Sequence, residues 1–242
     1  MKSGAVDGLA LYSRLDWDPA VAAALARQVA TVIVDQPEAP GVPFIGIDDC
    51  AAGRVALRHV LELGHRSVAV IAYRLTPERR SGELSREQQH QAGYRTTRLR
   101  LQGYGEALKE FGLDWDVLRF YESDSNDPAG GAAAGTEILA ANPHPTAILT
   151  DFDQLALGVL QAAAAAGLRV SDDLSVVGTD DVPASSVVTP ALTTIRQPLV
   201  AKGEEAGRLL LGPRPNETRR ILPFELIVRS STARALRRGG LT

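Results

Sequence analysis

The stretch LSVVGTDDVPASSVVTPALTTIRQP, from Leu174 to Pro198, is the most informative part of this 242-residue sequence. An apolar run of strand length, Leu174–Gly178, leads to two adjacent carboxylates, Asp180 and Asp181. Adjacent side chains of an extended chain point to opposite sides, so these two cannot act together on one substrate atom as an acid/base pair. At most one of them enters a crevice beyond the strand, and the simpler interpretation, which suits Asp181, is an Asx-type turn into the segment that follows.

Strand-length apolar runs alternate with Ala- and Leu-rich helical stretches along the whole chain. The predicted strands are Val6–Ser13, Thr31–Gln36, Phe44–Asp49, Ser67–Tyr73, Val117–Tyr121, Thr146–Thr150, Leu174–Gly178, Leu192–Ile195 and Arg220–Val228. The predicted helices are Pro19–Gln28, Ala51–Gly64, Thr97–Phe111, Asp153–Ala166, Leu199–Leu211 and one that opens at Asp127 and Pro128. The strands are continuously apolar, which indicates sheets covered on both faces. Their alternation with helices predicts an α/β fold of doubly wound parallel sheets.

Ligands of doubly wound sheets bind outside the carboxyl ends of the strands, so the residues at those ends are candidate ligand contacts. They are Asp35, Asp48, Asp49, Tyr73, Thr150, Asp151, Phe152, Asp153, Asp180 and Asp181. Phe152 is placed either to stack on a small ligand or to pack in the core. Asp153 is placed either to contact a ligand or only to cap the next helix. Arg100, one turn into its helix, either points a planar donor fork toward the crevice or is a solvated charge.

The composition excludes several classes of protein. With a net charge of −3 and a pI of about 5.8, the chain as a whole lacks the basic surface that nucleic-acid binding requires. No apolar run reaches the roughly 18–20 residues that span a bilayer, so we expect no membrane partner. The single cysteine, Cys50, favours a reducing, cytoplasmic location. Because no metal-ligand spacing, nucleophile motif or phosphate loop is evident, we expect no enzyme activity, no metal site and no cofactor.

One segment, Arg74–Thr96, interrupts the alternation of strands and helices. It is long, polar and rich in arginine. The simpler interpretation is a solvated or disordered loop. The functional interpretation is a flap over the crevice, because long loops at such edges often serve as lids or binding loops.

Several motifs, taken in order, carry a resemblance to a known family. DGLALYS, FIGIDDCAAGRVALRHVLELGHRSVAVIA, RLQGYGEALKEFGL, PTAILTDFDQLALG and the stretch quoted first resemble the effector-binding domain of LacI/GalR-family transcriptional regulators. The resemblance covers nearly the whole chain, and SVVGTDD followed by LTTIRQP is its most specific part. It implies a periplasmic-binding-protein-like type I fold, in which two doubly wound parallel-sheet lobes, joined by three crossovers, hold the effector in the cleft between them.

The resemblance also implies roles for individual residues. Asp180 matches the carboxylate that accepts hydrogen bonds from effector hydroxyls, and Arg100 matches the arginine that contacts the effector. Phe152 stands where the family usually has asparagine, which favours a stacking contact or a different class of ligand. Asp48 and Asp49 match a strand-end Asp-Asn pair near the crevice, and Gln197 matches a crossover as a hinge residue or a support for the ligand contacts.

By the same resemblance the chain divides into two lobes. Residues 1–65 and 198–224 form an incomplete N-terminal lobe, and residues 66–197 and 225–238 form the C-terminal lobe, with a tail at 239–242. The family's helix-turn-helix and hinge helix are not found in the sequence. Its first two β-α units, about 60 residues at roughly 30 per unit, also have no match, and this leaves dimerisation less certain than is usual for the family.

Three functions remain open from the sequence. The first is a regulatory sensor, in which a sugar- or nucleoside-like effector closes the lobes of a homodimer and DNA is bound only through a missing helix-turn-helix. The second is a solute-binding protein of a transporter, which would share the fold. The third is an enzyme on sugars or nucleotides, which needs two cooperating carboxylates about 5–10 Å apart. The family resemblance favours the sensor; the effector, and whether it represses or activates, stay open.

Overall fold

A computed structural model describes residues 6–73, 75, 81–212 and 219–236. Its strands are β1 (Gly8–Tyr12), β2 (Ala30–Val34), β3 (Phe44–Gly46), β4 (Val68–Tyr73), β5 (Gly82–Leu84), β6 (Leu118–Ser123), β7 (Ala147–Thr150), β8 (Ser175–Asp180), β9 (Thr193–Arg196), β10 (Arg219–Ile221) and β11 (Glu225–Ile227). Its α-helices are α1 (Pro19–Leu25), α2 (Asp49–Glu62), α3 (Arg86–His90), α4 (Arg95–Glu110), α5 (Pro128–Leu139), α6 (Asp153–Ala165), α7 (Pro183–Val187) and α8 (Leu199–Leu211). None of the helices in these ranges is long and apolar enough to cross a membrane.

The strands form two sheets. The smaller sheet has the order β1-β2-β3-β10, and all of its pairs are parallel. The larger sheet has the order β11-β9-β8-β7-β4-β6-β5, and only its two edge strands, β11 and β5, run antiparallel to their neighbours. The predicted α/β fold with two doubly wound parallel sheets is confirmed.

Helices cover both faces of the larger sheet and bury its strands from two sides. On one face, α2 and α4 pack against β4 through a cluster that includes Leu57, Leu61 and Leu108. On the other face, α5 and α6 pack through Ile138, Leu155 and Val159. The smaller sheet packs on α1 from one side and on α8 from the other. This two-sided burial explains why the strands are apolar along their whole length.

Three sequence predictions about the fold are wrong in the described residues. Helix α2 packs on the larger sheet, so the lobe boundary expected at residue 65 comes too late. The predicted strand Arg220–Val228 is two strands, because Pro223 has no N–H for a ladder and the chain passes there from one sheet to the other. The boundaries at 197/198 and 224/225 fall between elements of different sheets and stay predictions, and the 239–242 tail lies outside the described residues.

The described part of the Arg74–Thr96 segment is ordered secondary structure and not a solvated loop. Strand β5 pairs with β6 and closes one edge of the larger sheet. Helix α3 begins with a reciprocal capping box, in which Ser85 and Gln88 each accept a backbone N–H of the other. Trp115 donates its indole N–H to Gln89 at 2.8 Å and so ties α3 to the body of the lobe.

Candidate ligand-binding site

A cavity of about 320 Å³ lies between the carboxyl ends of the two sheets. Residues that follow β1 and β2 form one wall, and residues that follow β4, β6 and β7, together with the start of α4, form the other. The lining residues are Tyr12, Ser13, Arg14, Gln36, Tyr73, Tyr94, Thr96, Thr97, Arg100, Asn126, Asp151 and Phe152. Three of the eight residues predicted as site residues, Arg100, Tyr73 and Phe152, therefore line one cavity.

Arg100 is the central charge of this cavity. Its Nε atom donates to Asp49 at 3.2 Å, and Nη1 donates to the backbone oxygen and the carboxylate of Asp151 at 3.0 and 3.4 Å. All three residues are buried. Burial raises the pKa of both carboxyl groups, and the Arg100 guanidinium opposes that rise. The interpretation of Arg100 as a solvated helix charge is thus wrong, because two carboxylates hold it inside the protein.

Two glycines set the position of the helix that carries Arg100. A Cβ atom on Gly53 of α2 would lie 2.6 Å from the Arg100 backbone oxygen, and one on Gly103 of α4 would overlap the Cys50 backbone oxygen. Glycine is needed at both positions because the backbones of α2 and α4 touch there. The ion pair between Asp49 of α2 and Arg100 of α4 is formed across this contact.

An aromatic pair forms part of the cavity wall. The rings of Tyr73 and Phe152 meet edge to face, with centroids 6.1 Å apart and an interplanar angle of 77°. Both side chains are half-buried and line the cavity. Phe152 also packs against the core cluster of its lobe, so both interpretations of this residue hold in part.

Asp180 begins a chain of polar contacts that joins the two sheets. Gln197 donates to Asp180 at 2.7 Å, Lys202 donates to Gln197 at 2.6 Å, and Lys202 also donates to Asp35 at 2.5 Å. Asp180 ends β8, whereas Asp35 follows β2. Burial raises the pKa of Asp180 to about 7; nearby Asp153 also raises it, whereas the neighbouring cations and the Gln197 hydrogen bond lower it.

Comparison with known proteins places this geometry in a family. Residues 57–232 match the family described as a periplasmic binding protein-like domain. A LacI-family regulator of Corynebacterium glutamicum has a solved structure that matches 96% of this chain and 69% of its own, with a TM-score of 0.86 and 31% identity. The chain belongs to the LacI family of transcriptional regulators, as its effector-binding domain. The resemblance stated from the sequence is confirmed.

Other LacI-family relatives extend this result. An HTH-type transcriptional regulator of Mycobacterium tuberculosis is 38% identical over 86% of this chain and 58% of its own length. The HTH-type transcriptional repressor CytR of Escherichia coli is 32% identical over 94% of this chain and 63% of its own length. The chain thus spans about three fifths of the length of these curated regulators. A LacI-family regulator of Enterococcus faecium, solved with bound ribose, has a TM-score of 0.79 and 26% identity, over 96% of this chain and 81% of its own.

Asp153 does not face the cleft of this LacI-family domain. It is fully buried, and its carboxylate accepts hydrogen bonds from the Val182 backbone, the Ser185 hydroxyl and the Thr194 hydroxyl at 2.9, 2.7 and 2.6 Å. Nor does it cap α6, because the capping position is Phe152 and no side chain caps there. Both interpretations of Asp153 are therefore wrong: it joins the segment after β8 to β9.

Asp181 and Asp48 are also supports and not cleft residues. Asp181 pairs with Arg196 and Arg229, each at 2.7 Å, and not with a turn N–H as expected. Burial raises its pKa, but the two arginines outweigh that effect and the pKa is lowered overall. Asp48 is exposed and caps α2 by accepting the Ala51 N–H at 2.9 Å.

Sequence reasoning missed three residues of the site. Asp151 lines the cavity and holds Arg100, although the sequence analysis chose its neighbours Phe152 and Asp153. Lys202 is buried between the sheets, but in the helical pattern of α8 it resembles an ordinary solvated lysine. Gln36 is buried and accepts hydrogen bonds from the Thr96 backbone and hydroxyl at 2.9 and 3.0 Å. Asp151 and Gln36 both stand at the end of a predicted strand, so their positions were a usable signal, but neither was chosen as a site residue.

Larger cavities lie elsewhere in the described residues, but they lack these features. One of about 440 Å³ is on the outer face of the larger lobe, between α3 and α4, and is lined by Leu101 and Trp115 among others. Another of about 470 Å³ lies at the amino ends of the strands of the smaller sheet. Neither is at the carboxyl ends of the strands, where doubly wound folds bind ligands. Among the described residues there is also no group of three metal-ligating side chains.

Proposed function

We propose that this domain senses a small sugar- or nucleoside-like effector, which binds in the cavity between the sheets. The observation that carries the proposal is the composition of that cavity. Donors and acceptors from both lobes meet there around the buried guanidinium of Arg100, beside the aromatic wall of Tyr73 and Phe152. Such a wall suits the apolar face of a sugar or base ring, and the polar groups suit its hydroxyls.

In this proposal each predicted contact residue has its own role in ligand binding. Arg100 donates to ligand oxygens through Nη2, which makes no hydrogen bond to the described residues of the chain. Asp180 accepts from a ligand hydroxyl, and Gln197 holds its carboxylate in place at 2.7 Å. Tyr12, Ser13 and Gln36, at the ends of β1 and β2 of the smaller sheet, line the same cavity. A ligand that contacts both walls therefore favours a closed arrangement of the lobes over an open one, which is hinge closure. The solved relative with bound ribose supports a sugar-like ligand.

The whole protein is proposed to be a cytoplasmic transcriptional regulator that works as a homodimer. Lobe closure then alters the affinity of a DNA-binding module outside this chain, and no chemical step is needed. The alternative, a solute-binding protein of a transporter, shares the fold but is less well supported, because the curated relatives are HTH-type regulators. A helix-turn-helix encoded upstream of Met1 would decide for the regulator, and an export signal there would decide for the transporter.

A ligand screen tests the proposed function. Ribose, glucose, galactose, adenosine and cytidine are added separately to the chain, and thermal unfolding is recorded. A ligand at about 100 times its Kd stabilises by about 2.7 kcal/mol, so we expect an increase in Tm of roughly 5–10 °C for at least one compound. Small-angle scattering of the same sample is expected to show a smaller radius of gyration. If no compound changes the Tm or the radius, the proposal is wrong.

A further inference from the structure

The buried cations beside the cleft are paired with carboxylates, and this pairing affects which charge a ligand can carry. Arg100 is the buried cation of the cavity wall, and two carboxylates, Asp49 and Asp151, hold it. A guanidinium stays protonated in proteins, and a buried cation without a compensating anion is strongly disfavoured, so we take at least one of the two carboxyls to be ionised beside it. The group of three, which we call the Arg100 triad, therefore has a net charge of zero or below.

The second buried cation next to the cleft is neutralised as well. Lys202 pairs with Asp35 at 2.5 Å and donates to Gln197, and its side chain is only 3% exposed. Asp180, at the far end of this contact chain, adds a carboxyl that has no cation within hydrogen-bonding distance among the described residues. This side of the cleft also has no net positive charge.

One further cation, Arg14, lies at the rim of the cavity. Its side chain is 52% exposed and pairs with Asp18 at 3.6 Å. Water screens such an exposed pair, so its influence inside the cleft is small. Among the described residues that line the cavity, no arginine or lysine is therefore both buried and free of a carboxylate partner.

We propose that the Arg100 triad makes the cleft selective for charge, so that it accepts uncharged polyols and rejects their phosphate esters and carboxylates. Within the triad, Asp151 determines this selectivity, because it lines the cavity and lies where an anionic group would approach Arg100. A like charge brought next to Asp151 in a water-poor cleft is strongly disfavoured. The inference rests on the proposed function, since it names the ligand class of the same cavity.

Matched pairs of ligands test the inference in the full chain at pH 7.5. The pairs are ribose and ribose 5-phosphate, glucose and glucose 6-phosphate, galactose and galactose 6-phosphate, and adenosine and its 5′-monophosphate. Titration calorimetry gives the ratio of the two dissociation constants for each parent compound that binds. For the unaltered chain we expect the phosphate ester to bind at least about 100-fold more weakly than its parent.

The variant Asp151→Asn removes the charge at this position while nearly keeping the shape of the side chain. It removes one carboxylate while an amide oxygen still accepts the Tyr73 N–H, which Asp151 now accepts at 3.3 Å. We expect the dissociation constant of the phosphate ester, divided by that of its parent, to fall by about 10-fold or more in this variant. Asp49→Asn removes the carboxylate that accepts from Arg100 Nε and serves as a second variant in case the first does not fold. We expect it to lower the same ratio of dissociation constants. Asp181→Asn is the matched control, because this carboxyl pairs away from the cavity, and its ratio is expected to stay unchanged.

Each result decides a different claim. If the phosphate esters bind the unaltered chain as tightly as the parents, the inference is wrong and the proposed function stands. If the esters are rejected equally by both folded triad variants, rejection is steric and the role of Asp151 and Asp49 is wrong. If neither parents nor esters bind, the proposed function fails and the inference falls with it. Urea unfolding of each variant verifies that it is folded before titration.

Discussion

The ends of β7 and β8 each have two nearby carboxylates, and in both places one is proposed to serve the cleft while the other supports the framework. After β7, Asp151 holds Arg100 at the cavity, whereas Asp153 is buried under Val182, Ser185 and Thr194. At the end of β8, Asp180 is joined to Gln197 on the cleft side, whereas Asp181 pairs with two arginines.

The two strand ends reach this division through different backbones. After β7 the carboxylates are two residues apart, and Phe152 between them takes a third direction, toward Tyr73. At β8 they are adjacent, and both have a positive φ, 117° for Asp180 and 57° for Asp181. Aspartate tolerates this region better than most residues do, but it is still an unusual conformation. The comparison shows that the same pair of functions does not require the same spacing.

The largest effect expected from this comparison is on stability, at Asp153. The variant Asp153→Ala leaves a backbone N–H and two hydroxyls without their acceptor in the core, so we expect the free energy of unfolding to fall by about 3–5 kcal/mol. Urea unfolding measures the loss. The control is Asp127→Ala, which removes only the N-cap of α5 and is expected to lower stability by about 1 kcal/mol. Equal losses in the two variants would contradict the view that the three hydrogen bonds of Asp153 stabilise the protein more than a helix cap does.

The next effect is on ligand binding, at Asp180. Loss of a hydrogen bond to a charged group is worth about 1.5–3 kcal/mol, so Asp180→Ala is expected to bind the effector roughly 10- to 150-fold more weakly. At the same ligand concentration the ligand-induced increase in Tm, measured against the ligand-free Tm of the same variant, should fall to half or less. Asp181→Ala serves as the control and should keep the response. A normal ligand response in Asp180→Ala would contradict the proposed role of this carboxylate.

The raised pKa of Asp180 predicts how stability depends on pH. Between pH 4 and 7 the folded protein keeps a proton on Asp180 that the unfolded chain loses, so this group makes the protein less stable as the pH rises. Asp180→Asn cannot titrate, and its stability relative to the unaltered chain should rise across that window, on the order of 4 kcal/mol for a pKa that is raised from 3.8 to about 7, and level off above pH 8. Urea midpoints at half-unit pH steps measure the difference. A difference that is constant with pH would rule out the raised pKa.

The smallest effect is expected at Asp181. One of its two arginine partners, Arg196, has a side chain that is 49% exposed, so Asp181→Ala is expected to lower the free energy of unfolding by about 1 kcal/mol. Added salt should reduce this difference, because exposed charges are screened. Urea unfolding at low and high salt provides the measurement. A loss as large as that of Asp153→Ala would show that the two framework carboxylates are equivalent.

Local patterns in the sequence were sufficient for most of the fold. The helix α8 was predicted with its exact bounds, and the predicted starts of α1 at Pro19 and of α5 at Asp127 and Pro128 are confirmed. What failed depended on distant contacts. Strand β5 is three residues long and is stabilised by pairing with β6, so nothing within the Arg74–Thr96 segment marks it. The only local sign that β10 and β11 are separate is Pro223.

The site was predictable to the same extent. Arg100 and Phe152 were found because they follow strand ends or match a family motif, and the structure brings both to the cavity. The Lys202 pair was not found, because a lysine on a helix is normally solvated and its burial depends on Asp35, 167 residues away in sequence. The position of Asp153 after a strand marked it as a carboxylate with a specific role. That role, as acceptor for Val182, Ser185 and Thr194, is visible only in the packed structure.

The glycine contact between α2 and α4 has a mechanical consequence. Gly53 and Gly103 hold the two helix backbones against each other, and the interdigitated backbones resist sliding. Helix α2 begins directly after the chain leaves β3 of the smaller sheet. If the lobes rotate as proposed, the start of α2 lies where the chain leaves the smaller sheet, and the contact at Gly53 and Gly103 couples α2 to α4. We therefore expect these two glycines, which do not line the cavity, to affect the position of the Arg100 guanidinium in a closed state.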